Sequence, residues 1–302
     1  RYKPVGMPTF FWTDDGDNVL DNVDDSTYQN WGVMGGINGD VPPEVEWRIA
    51  PPTSTPATAY YLGRKAIEPG ETLDPADMFY IEYQGTADAN ASAGQVESQT
   101  GTSLDFTSTI AGTNNIKQLY GRALYLARVT TDAATASATI TPLYALDATN
   151  IEIVGDGVSV TLDATKLALA ELGEMYLNWP FDTPDSITCG VRVTFASSDV
   201  ARLDFLLMLP SPNCRLSVVG GAFAAASGDE IVLRNRDAYS MNGDTYKYRF
   251  EHRGDVIDFV PGKLNYVWLV QGADGADLDK TDQATVSIFV TPRYLLPGGP
   301  IS

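Results

Sequence analysis

The sequence predicts an all-β chain of antiparallel sheets: a β-sandwich of jelly-roll kind, with a second β region toward the C-terminus. Three observations predict it. Short runs rich in β-branched and aromatic residues recur from end to end, many with apolar residues at alternate positions. Proline- and glycine-centred turn signals separate them, as at Asn38-Gly39-Asp40 and Pro261-Gly262. Helical spacing is confined to one stretch. The length, 302 residues, suits one large β domain or two ordinary ones. A hydrophobic content of 44% is enough for real cores.

The elements follow in order. Residues 1–30 read as an N-terminal arm: Pro4 and Pro8 bracket an extended segment with Phe10-Phe11-Trp12 as an anchor. In the run NGDVPPEVEWRIA, Val45, Trp47 and Ile49 alternate with Glu44, Glu46 and Arg48, the pattern of a half-buried strand. AYYLGRKA and MFYIEYQ read as two more strands. Residues 84–103, QGTADANASAGQVESQTGTS, carry almost no large apolar side chain and read as a long loop or a disordered excursion. LYGRALYLARVT and ATITPLYAL read as strands joined by a hairpin-like turn at TTDAATAS. Leu162, Leu167, Leu169 and Leu172 followed by Gly173 suggest at most one short helix with a glycine cap. ITCGVRVTFAS and ARLDFLLMLPSP are two strands. In the second, Leu203, Phe205, Leu207 and Leu209 face one core and Leu206 and Met208 another layer, so it is buried on both faces.

Beyond Pro210, the runs LSVVGGAFAAASG, EIVLRNRD and YKYRFEHRG continue the pattern. Val256–Pro297 reads as a strand, an Asp-rich loop and a returning strand, a closing hairpin started by the Pro261-Gly262 turn. The expected domains are an arm over 1–30, a sandwich over 31–210 and a C-terminal β domain over 211–302.

The chemistry is sparse. Net charge is −19, from 39 acids against 20 bases. That opposes contact with a phosphate backbone or an anionic membrane, since both need clustered Lys and Arg. Two acidic stretches, Asp14 to Asp25 and GADGADLDKTD (Asp274, Asp277, Asp279, Asp282), invite a calcium reading. The first lacks the ligand spacing of a calcium loop, and the second is explained as an Asp/Gly-rich turn. The sole histidine, His252, reads as a surface residue on a strand edge. Cys189 and Cys214 read as buried thiols, with a bridge open to them if their strands pair. No nucleophile elbow, phosphate-binding loop or dinucleotide fingerprint occurs. The sequence thus nominates no catalytic residue, cofactor ligand or metal ligand, and an enzyme is not expected. Tyr60, Tyr61, Tyr80, Tyr83, Tyr120, Tyr125 and Trp179 are candidates for a sugar-stacking platform, against the alternative that they fill the core. The first stretch, RYKPVGMPTFFWTDDGD, lacks the apolar segment of a secretory leader. Arg1 in the place of Met leaves a fragment and a processed product both open.

Several segments together resemble β-sandwich structural proteins of tailed bacteriophages, particularly long-tailed tail or tail-tip components. They are a turn before a strand (Gly39, Asp40, Pro42); a strand of the form G-R-x-x-x-L-A-R-V (Gly121, Arg122, Leu126, Ala127, Arg128, Val129); a strand end (Leu206, Leu209, Pro210); a turn (Pro261, Gly262, Asn265); and a closing Pro292, Arg293, Tyr294, Leu295. The family turn has Asn two residues after the Gly, whereas Lys263 and Leu264 place Asn265 three after it. The resemblance implies a jelly-roll-like sandwich within an oligomeric virion, with no catalytic residues. The expected function is a non-enzymatic virion protein of a phage tail or tail tip, partnered by itself and other virion proteins, without direct nucleic-acid or membrane binding. The alternatives are a carbohydrate-binding, host-adhesion module, in which case a host surface glycan is a partner, and a glycan-acting enzyme.

Overall fold

The computed structural model describes residues 10–13, 31–34, 37, 41–51, 59–70, 80–88, 91, 94–112, 116, 120–146, 152–165, 167–179, 182, 184–210, 214–220, 228–272 and 284–293. Among them run twenty β-strands: β1 (Phe10–Thr13), β2 (Trp31–Met34), β3 (Val41–Ala50), β4 (Ala59–Ile67), β5 (Tyr80–Glu82), β6 (Thr86–Ala87), β7 (Gln95–Ala111), β8 (Gly121–Thr131), β9 (Ala136–Ala145), β10 (Glu152–Ile153), β11 (Val158–Leu162), β12 (Ala168–Leu177), β13 (Ser186–Pro210), β14 (Cys214–Gly220), β15 (Asp229–Arg234), β16 (Asp237–Asn242), β17 (Thr245–Arg249), β18 (Glu251–Gly254), β19 (Leu264–Gly272) and β20 (Thr285–Arg293). Their ladders are antiparallel. The expected all-β, antiparallel sandwich class holds.

The chain divides into two compact units. The first takes Arg1–Leu73, Asn213–Gly272 and Leu278–Ser302, and the second Asp74–Pro212 and Ala273–Asp277. This redraws the expected division into 31–210 and 211–302. The reason lies in pairing: β3 is held between β20 and β15, and β4 between β14 and β19. The early strands therefore share sheets with the late ones, and β5–β13 form an insertion.

The first unit holds a six-stranded sheet, β1-β20-β3-β15-β16-β17, and a five-stranded sheet, β18-β14-β4-β19-β2. Val45, Trp47 and Ile49 are buried as the alternation requires, with Val286 and Ile288 beside them on β20. Trp47 meets Phe259 at 6.3 Å between ring centroids. On β19 Val267, Trp268 and Leu269 are all buried, so that strand is covered on both faces. Gly63 is bare for a reason: a Cβ there would lie 2.0 Å from the Trp268 ring. The anticipated closing hairpin is not formed. β19 pairs with β4 and β2, and β20 with β3 and β1, in different sheets. The turn that starts β19 is as read. Gly262 has φ 75° after Pro261, which suits the third position of a type II turn. Asn265 clamps it: its Oδ1 accepts from Val260 N at 2.9 Å and its Nδ2 donates to Val260 O and Lys263 O at 3.1 and 3.2 Å.

The second unit is organised by β13, 25 residues long. β7 and then β5 line one of its edges; β9 and then β8 line the other. β8 and β9 therefore pair with different halves of β13 instead of forming the hairpin expected from the turn between them. Cys189, opposite Tyr144, lies beside Tyr125, opposite Met208, so β13 doubles back at the irregularity between Thr194 and Asp199. Leu203, Phe205, Leu206, Leu207 and Met208 are fully buried, which is the two-faced burial read from the sequence. Two other readings fail. Residues 95–103, within the expected loop, begin the 17-residue strand β7, because its ladder to β13 needs backbone and few apolar side chains. The expected short helix is largely strand β12, with a bulge between Glu171 and Gly173. Gly173 has φ 88°, so the glycine signal for a left-handed residue was real but marked a bulge instead of a helix end.

Candidate functional site

One end of the second unit concentrates exposed apolar surface. β8 begins opposite the end of β12, with Gly121 paired to Leu177. Gly121 has φ 103°, a conformation suited to glycine, and Tyr120 precedes it just outside the strand. Tyr176 alternates with the buried Met175 and Leu177, so its side chain faces solvent at 57% exposure. Tyr120 is 44% exposed, and its ring stands edge-on to Trp179 at 4.8 Å and 63°. Trp179 itself is buried. The Tyr144 hydroxyl donates to Asn178 O at 2.9 Å, tying the end of β9 to this corner. Leu146 lies just past β9, and Ile153 sits opposite Leu143; both are exposed. A Cβ on Gly155 would touch the Met175 methyl, so the segment after β10 lies against β12. Of the five exposed large hydrophobic residues among those described, four are here: Tyr120, Leu146, Ile153 and Tyr176. The carboxylates of Glu152 and Glu174 are exposed on the same strands.

Inside the unit a charged pair is buried at a bulge of β13. Asp204 is the residue skipped between Leu203 and Phe205 in the ladder to β8. Its carboxylate accepts from Arg128 Nη1 at 3.3 Å and its carbonyl from Tyr83 N at 2.8 Å. The Arg128 guanidinium lies 5.8 Å from the centre of the Phe205 ring. Nearby, Arg202 pairs with Asp132 at 2.6 Å and with Asp88 at 3.7 Å. Neither partner of the Arg128–Asp204 pair reaches solvent, so the arrangement supports packing rather than chemistry on a ligand.

Cys189 is a free, fully buried thiol beside Tyr125, and burial pushes it up to about 12. A thiol held protonated in this way is a poor nucleophile. Burial likewise raises Tyr83 and Tyr125, and Tyr144 to about 12. His252 is half-buried on β18, an edge strand; burial and the neighbouring Arg236 lower its pKa. Among the described residues, no group of three or more His, Cys, Asp or Glu is gathered to hold a metal ion.

The sequence-nominated aromatic platform does not assemble. Tyr60 and Tyr61 are buried in the first unit and Tyr83 and Tyr125 in the second. Tyr120 and Trp179 do meet. Tyr176, missed by the sequence reading, joins that end; its signal was an aromatic on the polar phase of an alternating strand. Both acidic stretches lie outside the described residues, as do the side chains of Tyr80 and Cys214.

No known protein family matches the chain, and no curated protein is significantly similar to it. Among solved structures, the CBM22-1 xylan-binding domain of Paenibacillus barcinonensis Xyn10C is 8% identical with a TM-score of 0.26, over 45% of this chain and 96% of that one. The infectious bursal disease virus Gx strain structure is 11% identical with a TM-score of 0.19, over 93% of this chain and 79% of that one. Likeness at this level does not bear on function.

Proposed function

We propose that this chain is a non-enzymatic structural protein of a virus particle, of the tailed-bacteriophage kind, and that it assembles with copies of itself in the tail or tail tip. The observation that carries the self-assembly is the free edge of β7. From Glu97 to Ala111 this strand pairs with β13 on one side, and among the described residues no strand pairs with the other. The stretch contains neither Lys nor Pro, the residues that ordinarily keep such an edge from pairing with another chain. Its exposed acid, Asp105, is neutralised by a two-bonded contact from Arg192 at 2.6 and 2.8 Å. The other acid of the stretch, half-buried Glu97, accepts from Gln99 Nε2 at 2.8 Å, so a chain of net charge −19 presents a weakly charged strip along this edge. The phage assignment rests on the motif resemblance. Of its residues, Pro42 falls on β3, Asn265 on β19, and Pro292 and Arg293 on β20 in the first unit, with Pro261 and Gly262 in the turn before β19. Gly39, Asp40, Tyr294 and Leu295 lie outside the described residues, and the others fall on β8 and β13, paired to each other, in the second unit. The acidic surface suits a subunit past which DNA must slide without sticking.

Mass photometry and negative-stain imaging test this reading. A closed oligomer is expected, and its weakening by the double variant Ser103→Lys/Thr109→Lys, both exposed positions on β7. A monomer at all concentrations would overturn the proposal.

A further inference from the structure

We propose that the aromatic end of the second unit, centred on Tyr120 and Tyr176 and backed by Trp179, is a binding site for a neutral carbohydrate. This goes beyond the structural role and stands without it. Tyr120 and Tyr176 present partly exposed rings, whose electron-rich faces attract the polarised C–H groups on the flat side of a sugar ring. Tyr120 is already steadied by its edge contact with the buried Trp179, so little side-chain freedom remains to be lost on binding. The exposed carboxylate of Glu174, two residues before Tyr176 on β12 and so on the same face, supplies an acceptor for sugar hydroxyls.

Size and charge select the occupant. The two exposed rings offer on the order of 200 Å², about a quarter of the ~800 Å² each partner gives to a stable protein interface. That suits a few sugar units better than a second copy of the chain. Beside Tyr176 the acid Glu174 is balanced by Arg122, the residue opposite Tyr176 in the ladder, and the chain's net charge of −19 disfavours sialylated, sulfated or phosphorylated glycans, which leaves neutral ones.

The test uses the full chain on an array of neutral gluco-, manno-, xylo- and galacto-oligosaccharides, with sialylated and sulfated glycans alongside. Binding is expected in the neutral set alone. Tyr120→Ala and Tyr176→Ala should each weaken it about tenfold, while Tyr176→Phe, which keeps the ring, should retain most of it. Because both tyrosines are exposed, the urea midpoint should stay at the parent value, which separates lost binding from lost folding. Absence of neutral-glycan binding, a preference for the anionic glycans, or Ala variants that bind like the parent would overturn the proposal. So would variants that instead dissociate an oligomer, since the surface would then be a subunit contact. Failure here leaves the structural reading untouched, because that reading is judged by the state of assembly and by β7.

Discussion

The two units use the same kind of strand in opposite ways. The second takes nearly all of its residues from one stretch, Asp74–Pro212, with only Ala273–Asp277 added from later in the chain, and gathers its ladders on one long strand, β13. The first is assembled from the two ends of the chain, with β3 against β20 and β4 against β19, and Asp74–Pro212 of the second unit lies between them in sequence. Closing so long an intervening segment costs conformational entropy before any contact rewards it, although folding the insertion first shortens the effective loop. The difference teaches that the inserted unit carries its own framework, whereas the discontinuous unit depends on the last strands of the chain.

The sharpest way to break that comparison is truncation. Removing residues 264–302 takes β19 and β20 from both sheets of the first unit. We expect the first unit to lose its fold entirely, and residues 74–212 produced alone to keep a cooperative unfolding transition by circular dichroism. Two units that melt together in the parent and are both lost on truncation would show instead that the insertion leans on its host.

Asp204→Ala probes the inserted unit at its centre. It strands the buried Arg128 guanidinium without its carboxylate, and removing one partner of a buried pair costs about 3–5 kcal/mol. Urea denaturation of the full chain should show the second unit's transition moving to lower denaturant while the first unit's stays. A change below about 1 kcal/mol would mean that water reaches Arg128 and that the pair is not sealed.

The smallest expected effect is on the first unit, through pH. His252, the sole histidine, has a lowered pKa in the folded chain. The unfolded chain, near the ordinary value of about 6.5, therefore binds the proton first as pH falls. The contribution is absent well above about pH 6.5 and becomes a modest loss of stability as pH drops toward the folded value. Comparing denaturation at about pH 7.5 and about pH 5.5, the first unit of the parent should lose more stability than that of His252→Gln, with the second unit indifferent to the substitution. Equal losses in both proteins would sink this.

What the sequence disclosed was local. The alternation around Trp47 and the double burial of Leu203 to Met208 follow from side-chain periodicity, which the chain carries at each residue. The Pro261-Gly262 turn needed only its two residues and Asn265. Partner choice was not legible. Nothing local in β19 and β20 says that they belong to different sheets, and nothing in β8 and β9 says that both lie along one edge of β13. The first part of β7, residues 95–103, was misread because its side chains are small or polar apart from Val96, the one large apolar residue it buries. At the candidate site, Tyr120 and Trp179 stood out as aromatics, but that they meet and that Tyr60 and Tyr125 are sealed in cores depended on the long-range pairing. Tyr176 was overlooked because its stretch was read with helical spacing.

β13 has a mechanical consequence. Over much of its length it is bonded on both edges, to β7 and β5 on one side and to β9 and β8 on the other. A pull along such a strand loads its hydrogen bonds in shear, side by side, so that many must fail together; a pull across it would peel them one at a time. Rupture under force is governed by the unfolding rate. Because the strand doubles back between Thr194 and Asp199, tension directed along either half, residues 186–194 or 199–210, is what loads its bonds in this way.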